Sequence, residues 1–196
     1  MDFITELQGR KIEFIEDTHE YFVDGVLTPS VTQVLSRKFG GKYKTVDKAV
    51  LEAAREKGIA VHEGIENLCR TGEVADMKEV RNFRFLQKHY GFEVVANEVP
   101  VLLCIEDKPI TVGRLDLVIT MDGETGLADI KRTATLDKEY LAYQLNIYRL
   151  AYMQTYGDEI KFLRGVHLRE NTRKFVTIPV NENLVREILE GTKNEM

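Results

Sequence analysis

The chain has 196 residues, 43% of them apolar and 30% charged, a globular composition at a length that suits one domain. No run approaches the ~20 apolar residues of a membrane span, and the opening MDFITELQGRK turns acidic at its second residue and lacks the apolar stretch of a signal peptide. A formal charge of −5 argues against nucleic-acid binding through net charge alone.

These features imply a cytoplasmic protein with no membrane role. The two cysteines, Cys69 and Cys104, stand in unrelated contexts and read as reduced thiols, without the spacing of a zinc or iron–sulfur site.

In chain order, IEFIEDTHEYFVDG alternates apolar and polar residues around Asp17-Thr18, which predicts a hairpin within residues 1–27. A helical region spans 28–91. Its first helix opens at Pro29-Ser30 and stops at Gly40-Gly41. The second covers 45–70 with Gly58 as a break, and the third covers 77–90 and ends at Gly91. Three strand-like runs follow, FEVVANEVPVLLCI, ITVGRLDLVIT and GLADIKRT, separated by turns at Glu106 to Pro109 and Asp122 to Gly126. A long amphipathic helix over 137–156 and the strands KFLRGVHLR and KFVTIPV complete a sheet region, 92–180, ahead of a terminal helix over 181–196. This order predicts one α/β domain with a mixed central sheet flanked by helices. Two basic groups interrupt the acidic balance: RKFGGKYKTVDK at 37–48, with five cations and one acid, and Arg164, Arg169, Arg173 and Lys174. Local cations of this kind can contact phosphates on an otherwise acidic surface.

The chemistry centres on Asp129-Ile130-Lys131. On a strand, Asp129 and Lys131 face one side while Ala128 and Ile130 face the other. Asp116 lies in the apolar run GRLDLVI, where an isolated carboxylate is costly to bury without a partner or a cation. If the two strands are antiparallel neighbours joined through TMDGETG, their carboxylates converge on a hard oxygen site suited to Mg²⁺ or Mn²⁺. Lys131 would then orient the attacking water or stabilise charge on a phosphate.

The succession GRLD, short turn, DIK resembles the core of the PD-(D/E)XK nucleases. The first acid of that motif corresponds to Asp116, the second to Asp129 and the lysine to Lys131. Two further features resemble the RecB-like and phage exonuclease branch. His62, in KGIAVHEGIENL, stands upstream on a helix like that branch's metal-binding histidine. Gln144 and Tyr148, one turn apart in YLAYQLNIYRLAY, match its QxxxY pair. The resemblance implies a restriction-endonuclease-like core holding one or two Mg²⁺ or Mn²⁺ ions through His62, Asp116, Asp129 and the Ile130 carbonyl. It also implies that Gln144 and Tyr148 steady the lysine or contact DNA. Glu98, in NEVPV, resembles an acidic residue on the preceding strand, and Arg114 and Thr133 flank the motifs as further candidates. Iron–sulfur members of this branch use four cysteines, so the two present here imply no cluster.

The expected function is metal-dependent cleavage of DNA, with duplex ends as the substrate, in phage or host recombination and repair. Exonuclease is preferred by family analogy. A homo-oligomer and a recombinase or helicase partner are further expectations of the resemblance. Two alternatives stay open: a nuclease-fold subunit that binds DNA without cutting it, and hydrolysis of RNA or other phosphodiesters.

Overall fold

The computed structural model describes residues 2–40 and 47–193. Its opening segment forms a meander where the alternation predicts one hairpin. The expected hairpin around Asp17-Thr18 is the middle one, pairing β2 (Arg10–Ile15) with β3 (Glu20–Val23). β1 (Phe3–Leu7) and β4 (Val26–Thr28) are added at the flanks by the two-residue turns Gln8-Gly9 and Asp24-Gly25. All four turn residues have positive φ, between 51° and 79°, which matches the twist of tight hairpins. The meander buries Leu7, Ile12, Phe14, Tyr21 and Val23 against Leu102 and Val112 of the main sheet.

Ser30 caps α1 (Val31–Phe39) through a reciprocal box with Gln33. α2 (Lys48–Thr71) is one continuous helix, capped by Asp47, that runs through Gly58 without the expected break. A helix tolerates a single glycine when neighbouring hydrogen bonds persist, at some cost relative to alanine. α3 (Lys78–Tyr90) ends at Gly91, whose φ of 68° provides the left-handed terminus. The basic run 37–48 falls partly in residues 41–46, outside the described residues.

The main sheet has five strands in the order β5-β6-β7-β8-β9, with β5 (Glu93–Ile105), β6 (Lys108–Met121), β7 (Glu124–Lys131), β8 (Phe162–Arg169) and β9 (Thr172–Ile178). β7 and β8 are parallel and all other neighbours antiparallel, so the sheet is mixed. α4 (Lys138–Tyr156) makes the crossover that a parallel pair requires. The turns are tighter than expected, with positive φ at Glu106-Asp107 and Asp122-Gly123, and Pro109 lies inside β6. β5 accommodates Pro100 because it is the outer strand, where a missing N–H breaks no ladder.

The helices cover both faces. Val61, Ile65 and Leu68 of α2 and Val80, Phe83 and Leu86 of α3 pack on Leu117, Ile119, Ala128, Ile130 and Val166. α1, α4 and α5 (Glu182–Lys193) cover the face that carries Val118, Leu127 and Leu163. Residues Leu141 to Tyr148 of α4 are buried without interruption, so this helix is embedded where the sequence predicts an amphipathic one. Along this stretch it is sandwiched between the sheet and the helices α1 and α5, while its two ends reach the surface. Among the described residues, no helix is long and apolar enough to cross a membrane.

Candidate metal centre and active site

Strand pairing sets three acids in a row across β5, β6 and β7. Asn97 pairs with Leu117 and Val99 with Leu115, so Glu98 falls opposite Asp116. Leu117 pairs with Ala128, and the next step outward sets Asp116 opposite Asp129. Glu98 takes a φ of 51°, a left-handed value that is uncommon outside Gly, Asn and Asp and persists only where the surroundings enforce it. Arg114 grips the side chain presented there. Its Nε lies 2.6 Å from Glu98 Oε2, and its guanidinium stands 5.7 Å from the ring of Phe14 on the meander.

His62 reaches this row from α2. Its Nε2 lies 3.2 Å from the Ile130 carbonyl, which turns Nδ1 towards Glu98 and Asp116 at 3.8 Å each. Ligand atoms of His62, Glu98 and Asp116 all fall within 4.8 Å of one another, close enough to hold one ion. A carbonyl that orients a ligating imidazole through its other nitrogen is a common arrangement around metals. The Ile130 carbonyl, expected as a ligand, stands beside this trio and meets the histidine ring. Glu98 stands in the trio, and Asp129 lies beside it.

Asp129 is almost wholly buried, at 1% exposure. Lys131 Nζ pairs with its Oδ2 at 2.6 Å, and among the described residues no other group partners that oxygen. Burial pushes the Asp129 carboxyl above its ordinary range, Lys131 opposes that, and Asp116 adds to it. For Lys131 burial works against the charge, but Asp129 and Asp116 outweigh it and raise the ammonium. Burial likewise disfavours the His62 imidazolium, while Asp116, Glu98 and Asp129 overcome it and lift the group to about 9. Asp116 Oδ2 accepts a hydrogen bond from the Ile130 N–H at 2.7 Å, which ties β6 to β7 beyond the last ladder pair.

Gln144 and Tyr148 arrive from α4, each 6% exposed. Tyr148 donates to the Arg114 carbonyl at 3.2 Å. Its ring passes so close to β6 that a Cβ on Gly113 would stand 3.1 Å from Cε1 and 3.2 Å from the hydroxyl. The glycine of GRLD therefore makes room for the tyrosine of QxxxY. Sequence reasoning missed Gly113, although a glycine inside an apolar strand signals close approach. Gln144 Oε1 is buried without a hydrogen-bond partner.

His62, Glu98, Arg114, Asp116, Asp129, Lys131, Gln144 and Tyr148 all line one cavity of about 750 Å³. Thr133 does not. Beyond Lys131 the chain leaves the sheet, and the Thr133 carbonyl is held by His167 Nε2 at 2.7 Å. The cations Arg164, Arg169, Arg173 and Lys174 also lie away from the cavity, Arg164 over Phe162 and Arg173 over Phe85. Two walls were not foreseen: the meander, through Phe14, His19 and Tyr21, and the α2 residues Arg55, Gly58 and Ile59.

No protein-family model and no curated protein matches the chain significantly. Among solved structures, one described as "Crystal structure of SSO0001" superposes with a TM-score of 0.44 at 18% identity, over 86% of this chain and 76% of that one. A likeness of that strength carries no functional argument.

Proposed function

We propose that the chain is a Mg²⁺- or Mn²⁺-dependent nuclease that hydrolyses phosphodiester bonds of DNA from an end. The observation that carries this reading is the convergence of His62, Glu98 and Asp116 within 4.8 Å, in one cavity with the buried Asp129–Lys131 pair. The donor set fits a hard or borderline divalent ion: two carboxylates, an imidazole fixed by its far nitrogen, and a third carboxylate opposite Asp116. The balance of charge fits too. Glu98, Asp116 and Asp129 face Arg114, Lys131 and a histidine whose raised basicity holds a proton where a cation would sit.

In this reading His62, Glu98 and Asp116 bind the ion, and Asp129 completes the site from β7. When bound, the ion supplies Lewis-acid polarisation of the phosphodiester and activates water near neutral pH. Lys131, held by Asp129, presents its ammonium to the charge that develops on phosphate oxygens. Arg114 anchors Glu98, and Tyr148 fixes the backbone carrying Arg114 and Asp116. DNA as the substrate, and attack from an end, rest on the resemblance of His62 and the Gln144–Tyr148 pair to the exonuclease branch.

The test is cleavage of labelled linear duplex, covalently closed duplex and matched RNA in Mn²⁺, with and without chelator. The expected outcome is Mn²⁺-dependent degradation of linear DNA, sparing of closed circles, and loss of activity in Lys131→Ala. Equal cutting of both DNA forms would defeat attack from an end. DNA binding with no cleavage under any condition would leave a binding subunit instead.

A further inference from the structure

The metal cavity uses none of the cations at the β9 edge of the sheet, and α3 adds more of them. Lys78, Arg81, Phe85 and Lys88 recur along α3 at spacings of three and four, which sets them on one exposed side. Its single acid, Glu79, is buried and paired with Arg132. α3 packs on β8 and β9, and Arg173 of β9 turns towards it. A basic face thus stands on a chain whose formal charge is −5. Several acids of the region are already matched. Asp76 pairs with Arg81, and Glu170 Oε2 lies 4.0 Å from Lys78. Among the described residues, Lys88 and Arg173 pair with no carboxylate. Glu73 and Glu93 are the exposed acids nearest in the chain.

Aromatic rings are interleaved with these cations. Phe85 and Tyr90 are left 42% and 44% exposed, and α3 exposes no large aliphatic side chain. Phe85 stacks on His89, with centroids 5.6 Å apart and planes 13° from parallel. Arg173 Cζ lies 3.7 Å from the centre of the Phe85 ring. A guanidinium laid on a ring spends its face there and keeps its N–H edge for an oxyanion. Behind them Tyr90 leans on Phe175 at 4.8 Å, and Phe175 stacks on the buried Phe92 at 4.8 Å and 4°. The surface rings therefore stand on packed ones.

We infer that the face formed by α3 and β9 binds a single strand of nucleic acid, with phosphates on Lys88 and Arg173 and bases against Phe85 and Tyr90. It is a holding surface separate from the metal cavity: none of these four residues lines that cavity, and β9 is the edge strand opposite β5, which carries Glu98. The inference does not depend on cleavage. Unpaired cations match the phosphate backbone, and exposed rings take any base by its flat face. A duplex stacks its bases on one another and offers this surface only phosphates, so the rings select an unpaired strand. An acidic peptide would meet the cations but bring no series of flat faces for the rings.

The test uses the full chain in EDTA, where the carboxylates of the metal-free cavity repel phosphate, and the anisotropy of a fluorescein-labelled oligothymidylate. Binding is expected at low salt, with log affinity falling linearly against log salt. Lys88→Ala and Arg173→Ala should each reduce that slope by about 0.7, the share of one phosphate contact on a single strand. Lys11→Glu, on the meander, should leave the slope unchanged. Phe85→Leu keeps an apolar side chain without a ring and should weaken binding about ten-fold, and Phe85→Trp should keep it. An abasic oligomer with the same number of phosphates should bind the wild type about ten-fold more weakly, and Phe85→Leu should barely distinguish the two. Equal wild-type affinity for both oligomers overturns the inference. Equal competition by polyglutamate of the same charge, or variants that bind like the wild type, would overturn it too. Binding in EDTA with no cleavage in Mn²⁺ overturns the nuclease reading alone, and cleavage in Mn²⁺ with no binding in EDTA overturns the α3–β9 surface alone.

Discussion

The site has an open half and a closed half, and they are built by opposite means. His62, Glu98 and Asp116 keep side-chain exposures of 30%, 24% and 15%, and the histidine Nδ1 stands 3.8 Å from each carboxylate. Asp129 and Lys131 are in direct contact, with Asp129 at 2% side-chain exposure. Like charges that converge while still open to water are poised to bind a cation. An ammonium pressed on a buried carboxylate is held in one place by the low dielectric around it. The contrast teaches that adjacent residues on one strand can serve different halves: Ile130 turns its carbonyl to His62, while its two neighbours pair with each other.

The sharpest way to break this comparison is Lys131→Met. Removing the ammonium strands Asp129 in a buried position, which should cost about 3 kcal/mol in urea unfolding, the low end of the range for a broken buried pair because Lys131 keeps 23% exposure. Cleavage should fall by about 10²–10³-fold. Adding Asp129→Asn should restore most of the stability and none of the cleavage. A Lys131→Met protein as stable as the wild type would show that the closed half is not tight.

On the open half the expected effect is on metal more than on folding. Glu98→Gln and Asp116→Asn should each weaken Mn²⁺ binding by at least about ten-fold in calorimetry, with a smaller loss of stability in chelator than Lys131→Met shows. Wild type in Mn²⁺ at about 100 times its Kd should gain about 2.7 kcal/mol of stability, lost on chelation. Unchanged affinity in Glu98→Gln would move the ion away from β5, towards Asp116 and Asp129.

The open half also titrates. His62 is raised from its ordinary 6.5 to about 9 in the metal-free chain by its carboxylate neighbours, against the opposing effect of burial. A histidine raised on folding stabilises fully below its unfolded value and loses that contribution as pH climbs through the folded one. Metal-free stability from this group should therefore be whole below about pH 6.5 and gone above about 9, and the His62 ring resonances should titrate near 9 in NMR. A midpoint at or below 6.5 would refute the close approach of Glu98 and Asp116.

The smallest effects lie in the support behind both halves. Gly113→Ala should press on Tyr148 and Val31 and destabilise by about 1–2 kcal/mol. Tyr148→Phe should cost about 1 kcal/mol by freeing the Arg114 carbonyl, with a larger fractional loss of cleavage than of stability. Neither should change the melting curve as much as Lys131→Met.

Much of the architecture was legible because it depends on local pattern. Strand-like apolar runs marked β5 to β9, and Ser30, Gly91 and the turn from Asp122 to Gly126 marked where elements start or stop, each through a conformational preference of the residue itself. The pairing of Asp116 with Asp129 followed from a short turn joining two apolar strands. The meander was under-read because its outer strands are held by the two-residue turns Gln8-Gly9 and Asp24-Gly25, beside the alternation that was followed. The weight of Glu98 was not legible, since its left-handed backbone and its grip by Arg114 arise only when β6 lies alongside. Thr133 looked like a neighbour of the motif and is not, because His167 draws it to β8.

By itself the sequence determined the elements, the two carboxylates on facing strands and the lysine beside one of them, because side-chain alternation and turn chemistry are properties of a few adjacent residues. Only the tertiary structure decided which groups share the centre, that Gly113 yields its space to Tyr148, and that Arg173 lies over Phe85. Those facts depend on distances between segments far apart in the chain, which packing sets and no local pattern encodes.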